Sequence, residues 1–75
     1  MKLVILDSQN VRKSIDVMES STVAQLKEEI KNQNNINGVI FLHFNGDILE
    51  DSYKLCDYKI EDGDVIVYIG RFPIN

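Results

Sequence analysis

Hydrophobic and polar positions along this chain change period twice. Met1, Leu3 and Ile5 alternate with Lys2, Val4 and Leu6, the period-2 pattern of a strand. Asp7-Ser8-Gln9-Asn10 is a polar turn, and Val11 to Val17 reads as a returning strand. Its Ile15 and Val17 fall on one face and Ser14 and Asp16 on the other, so the pair predicts an antiparallel hairpin. From Thr22 the period lengthens. Thr22-Val23-Ala24-Gln25 has the T-x-x-Q form of a capping box, in which hydroxyl and amide each satisfy an orphan backbone N–H. Val23, Leu26 and Ile30 then recur at i, i+3 and i+7, one face of a helix over roughly 22–33 that the polar run Asn32-Gln33-Asn34-Asn35 ends. Glu28 and Lys31 are placed to pair on its solvent side.

The period then shortens again. Val39 to Phe44 predicts a third strand, and Asn45-Gly46-Asp47 is a strong turn signal. Ile48-Leu49 gives a brief extended stretch, Leu55 to Tyr58 a short helical turn, and Asp64 to Ile69 a β-branched last strand after Gly63. The order is β-β-α-β-(short β)-β. A single helix with an apolar stripe needs a sheet to cover, and one mixed sheet supplies it. The last strand must lie beside the first, reached by a long crossover. This is an α+β, β-grasp layout with the helix packed across a mixed sheet, one domain over residues 1–70 and a tail over 71–75.

Composition narrows the chemistry. Seventy-five residues make one small domain, of a size that buries only about 60% of its unfolded surface. The one cysteine, Cys56, can staple nothing internally, which fits a reducing compartment, cytoplasmic and/or nuclear. A net charge of −4 argues against general nucleic-acid binding, which needs a basic face. The apolar opening MKLVIL stops at Asp7, too short for an export signal, and no membrane-spanning stretch follows.

Seven of the twelve acidic residues fall within residues 45–64, dense enough to raise the question of a metal or catalytic site. The calcium-loop pattern fails: counting back from Gly63 puts Tyr58 and Ile60 at ligand positions, and counting from Gly46 puts Phe41 first. The one histidine, His43, and Cys56 stand thirteen residues apart on different elements, without a second pair for a transition metal. Neither is near a glycine-rich anion site that nucleophilic catalysis would use. Turn chemistry explains most of the acids instead. Asp47 belongs to a tight turn, Asp57 is placed to cap the helical turn, and Asp62-Gly63-Asp64 forms another turn. No enzyme and no cofactor are expected.

Leu42-His43-Phe44-Asn45-Gly46-Asp47-Ile48-Leu49-Glu50-Asp51, followed by Leu55-Cys56-Asp57-Tyr58-Lys59-Ile60, resembles the ubiquitin superfamily. The shared elements are a hydrophobic strand, a glycine turn, L-E-D, then L-x-D-Y-x-I. Thr22-Val23, Lys27, Ile30 and Ile36 extend the likeness over nearly the whole chain, with about one residue deleted between Ile36 and Leu42. The final strand, Asp64 to Tyr68, looks closer to the small ubiquitin-like modifier branch. The resemblance implies a core of Met1, Leu3, Ile5, Ile15, Val17, Val23, Leu26, Ile30, Leu42, Leu49, Leu55, Ile60, Ile66 and Tyr68. It also implies that Tyr58 is a buried phenol whose hydroxyl finds a backbone partner in the loop near Glu50.

Three departures bear on function. The chain as given ends Gly70-Arg71-Phe72-Pro73-Ile74-Asn75, without the Gly-Gly through which such modifiers are conjugated. The family's chain-linking lysine positions fall on Asp47 and Asp62, which carry no amine. The apolar recognition patch maps onto His43, Val67 and Ile69, with Leu6 beside Val67. Alternation supports this patch independently: Ile66 and Tyr68 interleave with Val65, Val67 and Ile69, so both faces of the last strand are apolar and the helix covers one. The expected function is a non-conjugated ubiquitin-like interaction domain, a monomer opening a larger protein. Its partners would be ubiquitin-binding motifs or proteasome-associated subunits, with neither nucleic acid nor membrane. The alternatives are a conjugated modifier whose Gly-Gly lies further on, and an acidic PB1-type heterodimerisation domain. The latter's acidic motif normally falls mid-domain, whereas Glu61-Asp62-Gly63-Asp64 precedes the last strand.

Overall fold

A computed structural model of the protein describes residues 1–71. The elements are β1 (Lys2–Leu6), β2 (Arg12–Asp16), α1 (Val23–Asn34), β3 (Val39–Phe44), β4 (Asp47–Ile48), a 3₁₀ turn (Leu55–Tyr58) and β5 (Val65–Arg71). They form one five-stranded sheet in the order β2-β1-β5-β3-β4. β1 pairs antiparallel with β2 and parallel with β5, and β3 pairs antiparallel with β5 and β4. The last strand therefore lies beside the first, as the order of elements required. β5 runs through Arg71, one residue past the expected end of the domain, and residues 72–75, which include Pro73, lie outside the described residues.

Two turns show why the sheet has this register. In the β1–β2 loop the Asp7 carboxylate accepts hydrogen bonds from the N–H groups of Gln9 and Val11, and Asn10 takes a left-handed φ of 63°. An aspartate holding its own backbone in this way supplies a turn that no ladder provides. In the β3–β4 loop Asn45 and Gly46 have φ of 56° and 86°, the two positive values of a two-residue hairpin turn. That turn sets Phe44 opposite Asp47 and His43 opposite Ile48.

The helix starts where the capping box predicts. Thr22 Oγ1 accepts from the Gln25 N–H at 3.2 Å, and Gln25 Oε1 accepts from the Thr22 N–H at 2.9 Å. The next two N–H groups, of Val23 and Ala24, donate to the carbonyls of Tyr53 and Asp51, so the loop after β4 completes the helix N-terminus. Asn35, in the left-handed region, closes the other end. Thr22→Ala removes one of these acceptors and is expected to cost about 1 kcal/mol. For a domain of this size the melting temperature should fall by roughly 4–8 °C, as read by thermal circular dichroism. An unchanged melting temperature would show that the loop carbonyls hold the helix unaided. Glu28 and Lys31 do not form the expected pair. The cation that does find a partner on this helix is Lys27, whose Nζ lies 2.6 Å from Asp51 Oδ1.

Val23, Leu26 and Ile30 on α1 meet Leu3, Ile5, Ile15, Leu42 and Ile66 from the sheet, with Leu49, Leu55 and Ile60 closing the ends. Ile40, at 2% exposure, joins them although neither periodicity nor resemblance had placed it there. Met1, Val17 and Tyr68 are partly buried at the margin of this core rather than inside it. The core thus occupies one side of the sheet and leaves the other to solvent.

Candidate functional site

The open side of the sheet is assembled by register. With Leu3 and Ile5 turned toward the helix, Lys2, Val4 and Leu6 of β1 face outward. With Ile66 buried, β5 turns out Val65, Val67 and Ile69, and with Ile40 and Leu42 buried, β3 turns out Val39, Phe41 and His43. Cross-strand partners then align into a row. Leu6 stands opposite Val67, Val67 opposite His43, and His43 opposite Ile48. Phe41 and Ile69 form the next pair.

All four residues expected in the patch, Leu6, His43, Val67 and Ile69, are on this face, though not in one depression. His43 and Ile69 line a shallow groove of about 240 Å³ together with Phe41 and Ile48. Leu6 and Val67, both half-buried, extend the surface away from the groove toward β2. Phe41 and Ile48 were not picked out by sequence. Phe41 sits in the continuous apolar run VIFLHF, where alternation cannot say which side chains face out. Ile48 was legible in principle, because a two-residue Asn-Gly turn fixes its position opposite His43.

The concentration of apolar groups here is more than the ordinary scatter of a protein surface. Val39, Phe41, Ile48, Val65 and Ile69 are five of the eight large apolar side chains classed as exposed among the described residues. Single exposed hydrophobics need no explanation, whereas several on one sheet face form the kind of patch that interaction sites commonly present.

The acidic run proves to be fastening for the backbone at several of its positions. Asp57 Oδ2 accepts from the Lys54 N–H at 2.8 Å, capping the 3₁₀ turn. Asp64 Oδ2 accepts from the Glu61 N–H at 2.8 Å around Gly63, whose φ is 86°. Asp62 Oδ1 reaches the Lys2 N–H at 2.7 Å and ties the last crossover to the first strand. Asp51 holds Lys27. Tyr58 is only half-buried, at the margin of the core and not inside it as expected, but its phenol oxygen accepts the Glu50 N–H at 2.9 Å, the partner the resemblance implied. Cys56 is exposed on the 3₁₀ turn, whereas His43 is on the open sheet face. Among the described residues no three His, Cys, Asp or Glu side chains converge as metal ligands would, and no helix is long and apolar enough to cross a membrane.

Burial raises the pKa of the Tyr68 hydroxyl above its usual value, with the Asp7 carboxylate adding to the effect. The neutral phenol is therefore the form the fold favours. Its contribution is complete below about pH 10 and is lost as pH rises through the folded value. The half-exposed ring keeps that contribution small, since solvent screens it.

The sheet order, the helix crossing one face and the L-x-D-Y-x-I turn all lead to one comparison. The family model for Rad60-SLD, described as Ubiquitin-2 like Rad60 SUMO-like, matches residues 1–69. The chain belongs to this ubiquitin-like family. No curated protein sequence matches it. The SUMO-like description agrees with the character of the last strand, Val65-Ile66-Val67-Tyr68, and the match covers every element up to Ile69 of β5. The ubiquitin-like fold is generally non-enzymatic.

Proposed function

We propose that this ubiquitin-like domain works by non-covalent recognition, docking its open sheet face onto a protein partner of the ubiquitin-binding-motif or proteasome-associated kind, in the cytoplasm or nucleus. One observation carries the reading: the in-register row Leu6–Val67–His43–Ile48, with the Phe41–Ile69 pair beside it, forms a contiguous apolar surface on the side the helix leaves bare. A partner helix presenting apolar side chains at i, i+3 or i+4, and i+7 is the complementary shape for such a groove. Asp47 and Asp62 stand where chain-linking lysines would be, which agrees with recognition rather than chain building.

Titration with a peptide carrying a helical ubiquitin-binding motif tests this, with backbone amide resonances as the readout. Signals of Leu6, His43, Val67 and Ile69 should move first. Movement confined to α1 would place the docking surface on the opposite side and overturn the proposal.

His43 gives the test a second arm. An apolar helix covering the ring must strip water from its polar nitrogens. Val67, Ile48, Phe41 and Ile69, the side chains beside the ring, offer those nitrogens no hydrogen-bonding partner. His43→Leu should therefore bind such a helix more tightly. Equal affinity in the two proteins would put His43 outside the interface.

A further inference from the structure

The chain holds two Asn-Gly steps, and their surroundings differ. We propose that Asn37-Gly38 is a site of self-catalysed deamidation and that Asn45-Gly46, the same dipeptide, is protected by the fold. The reaction needs a backbone nitrogen able to reach the preceding side-chain amide, and only glycine leaves that nitrogen unhindered. The other asparagines that precede a residue are followed by Val11, Gln33, Asn35 and Ile36, whose side chains crowd the approach.

In the first step the Gly38 nitrogen, losing its proton, attacks Asn37 Cγ. A new C–N bond closes a five-membered imide as the bond from Cγ to Nδ2 breaks, and ammonia leaves. Water then adds to one of the two imide carbonyls. Opening at one gives aspartate, and opening at the other gives isoaspartate, in which the main chain runs through Cβ and Cγ. Water is the sole co-reactant, and nothing is oxidised or reduced.

Local geometry separates the two steps. Asn37 is exposed in the connection between α1 and β3, and it lines an open polar depression with Lys31, Asn32 and Asn35. The chain is anchored just before it, where the Ile36 N–H donates to the Lys31 carbonyl, and just after it, where Val39 pairs with Arg71. Asn45 is held at φ 56° and Gly46 at φ 86°, with both ends of the turn paired across β3 and β4. The imide demands that the asparagine rotate out of this left-handed well, which would open the hairpin. An isoaspartate at position 37 would add a methylene to the main chain leading into β3, the strand that delivers Phe41 and His43 to the open face.

The test is to age the intact protein in mildly alkaline buffer, then digest it and locate isoaspartate by peptide mass mapping and enzymatic methyl labelling. Modification should appear at Asn37 several-fold sooner than at Asn45. Gly38→Ala should slow it several-fold, and the positive-φ glycines are Gly46 and Gly63, so the alanine needs no left-handed backbone at position 38. Asn37→Gln is the second variant and should abolish labelling in that peptide. In urea the two sites should react at similar rates, because the turn no longer restrains Asn45. Modification at Asn45 as fast as at Asn37 in the folded protein, or a rate unaltered in Gly38→Ala, overturns the proposal.

Discussion

Ile66→Ala should leave the domain at or near the edge of folding. Ile66 is fully buried in β5, the strand between β1 and β3, and stands directly opposite Ile5. Removing three carbons from such a site loses their transfer energy and leaves a cavity that close packing cannot collapse, at a cost of about 2–5 kcal/mol. A 75-residue domain has only about 4–11 kcal/mol in total. Urea denaturation followed by circular dichroism is the measurement. With a slope near about 1 kcal/mol per molar, the midpoint should fall by several molar. Ile66→Val, which removes one carbon, should cost about 0.5–1.5 kcal/mol. Val67→Ala supplies the contrast, since its side chain is on the opposite face of the same strand and only half-buried. If Val67→Ala destabilised as much as Ile66→Ala, the two faces of β5 would not be divided between core and surface as described.

That division was legible in sequence where local chemistry dictates it and obscure where distant register does. The capping box at Thr22 and the Asn45-Gly46 turn are short-range devices, and each does in the fold what its residue types predict. Ile15 has polar neighbours on both sides, so its burial followed from period alone, whereas Leu3 and Ile5 interleave with apolar Val4 and Leu6 and were placed in the core by the resemblance. Ile40 did not follow. β3 is apolar at nearly every position, and a one-residue shift of pairing would exchange Ile40 and Leu42 for Phe41 and His43. The pairing of Phe41 with Ile69 settles that choice, and it depends on a strand twenty-odd residues away. The same limit hid Phe41 in the groove, since it could be assigned to the open face only once Ile40 was assigned to the core.

Tertiary ion pairs were beyond reach for a related reason. Lys27 meets Asp51 because the loop after β4 is drawn against the helix N-terminus by the Val23 and Ala24 N–H groups. No periodicity relates positions 27 and 51. The expected Glu28–Lys31 pair rested on helix spacing, which makes such a pair available at a few tenths of a kcal/mol but does not oblige two solvated side chains to meet.

The surface side of the same strand yields the second large effect. Ile69→Glu should weaken partner binding by roughly tenfold or more while leaving the fold intact. Ile69 is 43% exposed on the open face and lines the groove opposite Phe41. Covering an apolar side chain of this size with a partner contributes roughly 1.5–3 kcal/mol, and each 1.4 kcal/mol or so is tenfold in affinity. The glutamate forfeits that contribution and adds the cost of desolvating a carboxylate against Phe41 and Ile48. Its side chain remains in water in the free protein, so the melting temperature should shift little. Ile69→Val separates the two causes, because it keeps an apolar contact and should lose only a small part of the affinity. The experiment is a calorimetric titration of wild type and both variants with one helical ubiquitin-binding peptide, alongside thermal melts of each free protein. An unchanged affinity in Ile69→Glu would remove the groove from the interface. A loss accompanied by melting at the assay temperature would mean that Ile69 supports the fold rather than the contact.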